Sequence, residues 1–400
     1  MTPVNAWERP PAGDAAVAHP RAKTNRPPEG GAASRSSSPG EELRRREGRA
    51  LDRRALELIA RGWHDPAREE EVDDLAVALF HHQRRHNAPA AAWWRSAGVD
   101  PRRVRGWADV PPLPVAAWKR GRVAAFPRRG GRDEPTFLSS GTSGSRSRVY
   151  VEDLRVYEAA VVPPFRRHAL PDRPRMRLLS LAPSPEDAPR SSLSHMLGVL
   201  HRALGAAGSA FLAGPDGVRL GELGRALEAS CAEAEPVFLL GPAFAFVHAL
   251  EGLEQRSRAF VLPPGSRLFQ TGGFKGRSRS VEPGALLAGF ARRLGISATR
   301  VVHEYGMAEL ASQFYSREDG AYLAPPWVRW RVLDPLTLEP AGGDAPGVLA
   351  VWDLANRSGC VALRTEDLAR ARGDGFELLG RVPDAEPRGC SLEADREERC

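Results

Sequence analysis

Apolar residues first recur at helical spacing in "EELRRREGRALDRRALELIARG" and continue so through "EEVDDLAVALFHHQRRHNAPAAAWWRSAG", which predicts a helical region ending near Gly98. "WADVPPLPVAAWKRG" then reads as a proline-punctuated connector whose Trp107 and Trp118 pack on the next domain. After Pro135 the period changes. "MRLLSLAP", "SAFLAG", "PVFLLG", "SRLFQTGG" and "TRVVHEYGM" are short apolar runs that end in glycine or other small residues, as buried parallel strands do. Between them, "SHMLGVLHRALGAAG", "LGELGRALEASCAEA", "PAFAFVHALEGLEQ" and "EPGALLAGFARRLG" carry helical periodicity. Strand and helix in alternation predict an α/β fold, a mostly parallel sheet with flanking helices and with ligand loops at the carboxyl ends of its strands.

From about Pro326, "PWVRWRVLDPLTLEP", "GVLAVWDLA", "CVALRTEDLA" and "GFELLGRV" read as short strands joined by turns, a small C-terminal β subdomain. The opening stretch, with "RPPEGGAASRSSSPGEE", has too few bulky apolar residues to offset the entropy of ordering. The expected organisation is therefore a disordered leader (1–45), a helical N-terminal region (46–135), an α/β core (136–325), the β subdomain (326–392) and a tail (393–400).

Composition narrows the class. With 400 residues, 42% of them hydrophobic, the chain can bury a large core. No apolar run is long enough to span a bilayer and the start lacks the order of a secretory signal, so a cytoplasmic protein is expected. The formal charge of +7 comes almost wholly from arginine spread along the chain, and only Lys23, Lys119 and Lys275 are lysines. With no basic stripe interleaved with aromatics, nucleic acid is not an expected partner. Cys231, Cys360, Cys390 and Cys400 show no CxxC spacing, so neither a zinc site nor a disulfide framework is expected from them. Cys231 and Cys360 read as core fillers.

The chemistry concentrates in loops placed after predicted strands. "FLSSGTSGSRSRVY" gathers many glycines and hydroxyls in one place, which lets backbone approach a ligand closely. It lacks the lysine of a Walker A motif. A nest of backbone N–H groups there, with the hydroxyls of Ser139, Ser140, Thr142, Ser143 and Ser145, suits phosphate oxygens. "FQTGGFKG" and "HEYGMAEL" come after later strands.

Taken in order, "SSGTSGS", "TGG", "YGMAE", "RTEDLA" and "LLGR" resemble the core motifs of the adenylate-forming acyl-activating superfamily. More narrowly, "LFHHQRRHNAPAAAW", "WADVPPLPVAAWK", "GGFKG" and "LLGRVPDAEPRGCSL" resemble the acyl-protein synthetase (LuxE) family, over roughly residues 75–392. The resemblance implies the N-terminal-domain fold of that superfamily with the mobile C-terminal lid absent or vestigial, and ATP and Mg2+ as cofactors. Under it Ser139, Ser140, Gly141, Thr142, Ser143, Gly144 and Ser145 hold the ATP phosphates, Gly272 and Gly273 line the adenine slot, and Tyr305, with Gly306 and Met307, covers the base. Glu309 holds the magnesium ion, a hard cation that prefers oxygen ligands. Asp367 accepts from the ribose hydroxyls, and Arg381 marks the hinge towards the small domain.

Three further residues carry two readings each, His195 and Cys390 from the same resemblance and Lys275 as a rare lysine beside the expected adenine loop. His195, in "SHMLG", flanks the substrate carboxylate or is a core histidine of an amphipathic helix. Lys275 neutralises the carboxylate or α-phosphate or is an exposed loop cation. Cys390 takes the acyl group as a thioester or is a closing-strand residue. The implied reaction is ATP-dependent activation of a carboxylic acid, a fatty acid in this family, then transfer to a protein thiol, with an acyl-reductase or acyl-carrier protein as partner. Two rivals stay open: a CoA or carrier-protein ligase of the phenylacetate-CoA-ligase type, and a nucleotide-binding scaffold without turnover.

Overall fold

The computed structural model describes residues 38–128, 136–139, 146–272 and 282–382. The chain divides into two units, residues 1–42 and 43–400. Of the first only residues 38–42 are described, the opening of a helix that starts at Pro39, where the Ser38 side chain accepts from Glu41 N at 3.4 Å. The second unit holds the rest of that helix and every other element.

In chain order, helices α1 (Pro39–Arg61), α2 (Glu69–His86) and α3 (Ala88–Ser96) come first. They precede β1 (Leu113–Pro114), α4 (Ala117–Arg120) and a two-stranded ribbon of β2 (Phe137–Leu138) and β3 (Arg148–Val149). Next come α5 (Arg155–His168), β4 (Arg177–Ser180), α6 (Ser192–Leu204), β5 (Ala210–Phe211), the small hairpin β6 (Ala213–Gly214) and β7 (Gly217–Val218), and α7 (Leu220–Glu233). The chain continues through β8 (Val237–Pro242), α8 (Ala243–Gln255), β9 (Arg267–Thr271), α9 (Pro283–Leu294) and β10 (Val301–Tyr305). The remaining strands are β11 (Phe314–Ser316), β12 (Tyr322–Leu323), β13 (Val328–Leu333), β14 (Gly347–Asp353), β15 (Ala362–Arg372) and β16 (Gly375–Arg381).

One twelve-stranded sheet runs in the order β13-β14-β15-β16-β12-β11-β10-β9-β8-β4-β5, with β1 beside β15. The strands β5, β4, β8, β9 and β10 are parallel, as the alternating pattern predicts. Period-2 alternation assigns their two faces. Leu178, Phe238, Leu240 and Phe269 pack with Phe165 of α5 and Leu197 of α6, whereas Leu179, Leu239 and Leu268 pack with Leu227 of α7, Phe246 of α8 and Phe290 of α9. Both faces of the parallel part are thus covered, as an α/β fold requires. The antiparallel strands continue the same sheet through β12, where Tyr322 stands opposite Phe376 of β16.

Trp118 is buried, and Trp107 meets Trp352 of β14 edge to face at 5.0 Å, with the Arg331 guanidinium over its ring at 4.5 Å. Among the described residues no helix is long and apolar enough to cross a membrane.

Candidate functional site

At the carboxyl end of β9, Gly272 has φ +67°, a left-handed conformation that favours glycine, and open space where a Cβ would stand. Its neighbour β10 ends at Tyr305, whose ring packs among Phe314, Tyr322 and Phe376 at centroid distances of 5.8–6.0 Å. The Tyr305 hydroxyl donates to Asp367 Oδ2 at 2.9 Å. Asp367 lies directly opposite Arg381 in the β15–β16 pair, and Arg381 Nε stands 3.5 Å from Asp367 Oδ1 while its Nη2 donates to Glu366. Sheet register therefore gathers Tyr305, Asp367 and Arg381 from three separate motifs.

The loop after β10 buries Glu309, at 2% exposure. It borders a cavity of about 20 Å³, the room of a single water molecule, shared with Phe137 and Val149 of the ribbon, Tyr157 of α5 and Arg357. Ribbon strands β2 and β3 are the stem of the glycine- and serine-rich loop. The stem is closed by Ser139 N donating to Ser147 O at 3.0 Å and Ser147 N donating to Ser139 Oγ at 2.8 Å. His195 stands beside it on α6, its ring 5.6 Å from that of Phe137, with Nε2 2.9 Å from Glu158 Oε1. Its neighbour Ser194 donates its N–H to the N-cap side chain of Ser191. An imidazole between a carboxylate and two aromatic rings is held in one orientation, half-buried, against the stem residue Phe137.

Behind Glu309 lies a relay from the helical region. Gln83 of α2 donates to Asn356 O and Arg357 O and accepts from Val361 N, and Asn87 donates to Gly359 O. Asn356 Nδ2 in turn donates to Glu309 O at 2.8 Å. Gln83 and Asn87 are the working residues of "LFHHQRRHNAPAAAW": they clamp the turn after β14 that fixes the backbone of Glu309.

A family model described as "Acyl-protein synthetase, LuxE" matches residues 56–397, most of the chain. The chain belongs to the LuxE acyl-protein synthetase family. No curated protein matches it. Among solved structures it is similar to an open conformation of 2-hydroxyisobutyryl-CoA ligase in complex with 2-HIB-AMP and CoA (TM-score 0.57, 17% identity, covering 78% of this chain and 76% of that one). The same ligase in the postadenylation state with R3-HIB-AMP gives TM-score 0.55 at 16% identity over 78% and 68%. The LuxE protein thus has the fold of an adenylate-forming ligase, as the order of its motifs implies.

Several motif residues of this LuxE chain, Ser140, Gly141, Thr142, Ser143, Gly144, Ser145, Gly273, Lys275 and Cys390, lie outside the described residues. Two other cysteines differ from each other. Cys360 is buried and its thiol is pushed up to about 12 by burial, which makes it a poor nucleophile. Cys231, expected as a core filler, is instead exposed on α7, its Sγ 3.7 Å from Val261 O, because it falls on the outward stripe of an amphipathic helix. Met196 and Phe246 belong to the packing on opposite faces of the sheet.

Sequence reasoning missed Glu304. It stands on β10 directly between Thr271 of β9 and Tyr315 of β11, so the three side chains share one face, and Thr271 Oγ1 donates to its Oε2. A carboxyl inside the apolar run "VVHEY" was the available signal. Burial raises its pKa from 4.5 to about 7, against the Thr271 hydrogen bond. Between about pH 4.5 and 7 the folded state holds a proton that the unfolded chain has released, so this contribution is complete below 4.5 and is lost as pH rises through 7. The shift corresponds to on the order of 3 kcal/mol. Glu304→Gln, which never ionises, is expected to gain about that amount relative to wild type between pH 5 and 8, read from urea unfolding at both pH values. Parallel stability profiles for the two proteins would rule the carboxyl out as the source.

Proposed function

We propose that this LuxE-family protein activates a carboxylic acid, of the fatty acid class, with ATP and passes the acyl group to a protein thiol as a thioester. The observation that carries the reading is the bond from Tyr305 to Asp367, 62 positions later, at the carboxyl end of β10 next to the β9 end that leads into Gly272. An aromatic face, a side-chain-free turn and an ionisable carboxylate at one sheet rim are what an adenosine needs for stacking, close approach and hydroxyl recognition. The Ser139–Ser145 loop, whose stem shares the Glu309 cavity, would cradle the phosphates. Glu309, a buried carboxylate with oxygen donors only, fits a hard cation, and Mg2+ held there would supply charge neutralisation at the phosphates.

In the first half-reaction a carboxylate oxygen of the acid attacks the α-phosphorus of ATP, the bond to the bridging oxygen breaks, and pyrophosphate leaves. The chain's part is to hold the two reactants in line, with Tyr305 and Asp367 fixing the nucleoside and His195 standing at the loop stem. In the second half the thiolate of Cys390 attacks the acyl carbonyl, AMP leaves with the electron pair, and a thioester remains. An acyl-reductase or acyl-carrier protein would then accept the group.

The test is acid-dependent exchange of labelled pyrophosphate into ATP across a panel of chain lengths, in wild type and Cys390→Ser. Exchange is expected in both proteins, with covalent acyl-protein in wild type alone. ATP binding without any acid-dependent exchange excludes activation and leaves a scaffold. The resemblance to a CoA ligase structure favours a second reading, delivery to CoA. Acyl-CoA formed equally by wild type and Cys390→Ser would establish that reading over transfer to the protein thiol.

A further inference from the structure

Helices α1 and α2 form an antiparallel pair, tied near their connection by Arg61 and Glu71 at 3.0 Å and at the far end by Arg85 Nη2 on Glu47 Oε2, also 3.0 Å. At that far end His82 and His86, four residues apart on α2, share one face. Their rings lie 4.8 Å apart, and Glu47 of α1 brings Oε2 to 3.6 Å from His82 Nδ1. One donor atom from each of the three lies within 4.8 Å of the others. His82 itself is 0% exposed, and neither of its ring nitrogens has a hydrogen-bond partner among the described residues. A buried imidazole left in that state forfeits bonds it makes in water, a cost that a ligand at the site would remove.

We propose that Glu47, His82 and His86 form a binding site for a divalent cation of the zinc class, separate from the nucleotide site. Two imidazoles and one carboxylate are a borderline donor set that selects Zn2+ and its neighbours over Mg2+. Bonds of about 2.0–2.2 Å place donors sharing one ion within roughly 4.4 Å of each other, so a short side-chain rotation closes the site. Glu47 and His86 are half-exposed and provide the entry path, while the buried His82 is the fixed member. Arg85, whose guanidinium now holds Glu47, is 52% exposed and can turn into solvent when the ion takes its place. The fourth position is open to water. Bound metal would pin α1 to the helix whose Gln83 and Asn87 clamp the turn behind Glu309, bracing that turn from outside.

The experiment uses the full chain after treatment with a chelator, titrated with ZnCl2 by calorimetry and with Co2+ by visible absorption, and heated with and without zinc. One equivalent is expected to bind at micromolar or tighter affinity, in the presence of millimolar Mg2+, and to raise the melting temperature. His86→Ala and Glu47→Gln, both at partly exposed positions that leave the core intact, are each expected to weaken binding at least tenfold and to abolish the zinc-dependent rise. Unchanged far-ultraviolet circular dichroism confirms that each variant is folded. Absence of stoichiometric binding in wild type, or binding undiminished in either variant, overturns the site.

Discussion

Glu309→Gln is expected to lower acid-dependent pyrophosphate exchange by on the order of 10²–10³-fold, the loss typical of removing one preorganised charge-stabilising group from a reaction centre. Glutamine keeps the shape and the hydrogen-bonding capacity at a position that is only 2% exposed, so the fold is retained. What it removes is the negative charge that, under the proposed function, holds the phosphate-bound cation. The deficit should fall mainly on the exchange rate, with acid affinity little changed, and extra Mg2+ should restore part of it. Exchange within about threefold of wild type, at equal protein stability, removes Glu309 from the mechanism while leaving the fold and family untouched.

The second large effect concerns stability. Arg357, 5% exposed, lies in the turn after β14 and donates Nε and Nη2 to the two oxygens of Asp52 on α1, at 2.6 and 2.9 Å. Its Nη1 donates to Glu152 at 2.7 Å, and Glu152 also accepts from Arg44 of α1. Burial alone would raise the pKa of Glu152, but hydrogen bonds from Arg44 and Arg357 hold it down at about 2. Removing one member of such a network leaves a buried charge uncompensated, and Arg357→Met is expected to cost about 3–5 kcal/mol in urea unfolding.

A second substitution tests the cause. Because Asp52 then loses its only described bidentate partner, adding Asp52→Asn should recover part of the loss, a coupling that a double-mutant cycle reads directly. Additive losses would assign the effect to packing instead. Gly48 is part of the same design: a Cβ there would stand 3.0 Å from Arg357 Nη1, so a glycine in the helix lets the guanidinium approach.

Much of this was legible along the chain. The period change after Pro135, the small residues that end "SRLFQTGG" and "TRVVHEYGM", and the order of the motifs were sufficient for the α/β class and for the family. These signals are local: a helix or strand announces itself within its own window, and a glycine at φ +67°, such as Gly272, reports a backbone need at that one position. Tyr305, Glu309 and Asp367 could be singled out one by one as candidates because each sits in a short motif.

The contact between Tyr305 and Asp367 was not legible there. Tyr305 reaches Asp367 only because β12 joins the last hairpin to the parallel strands, through the single pair Tyr322 and Phe376. Glu304 looked like one acid in an apolar run, and only the register with Thr271 and Tyr315 shows that it is enclosed. Gln83, Asn87, Asp52 and Arg357 looked like ordinary helix and turn residues until the chain brought partners from far along it, with Gln83 and Asn356 separated by 273 positions.

By itself, then, the sequence determined the elements, the kind of sheet and the chemical vocabulary of the loops, since backbone propensity and side-chain chemistry are properties of each residue and its near neighbours. Tertiary structure alone decided which carboxylates are paired, which are enclosed and which face one rim. Burial and strand register are relations between distant segments, and no spacing along the chain encodes them.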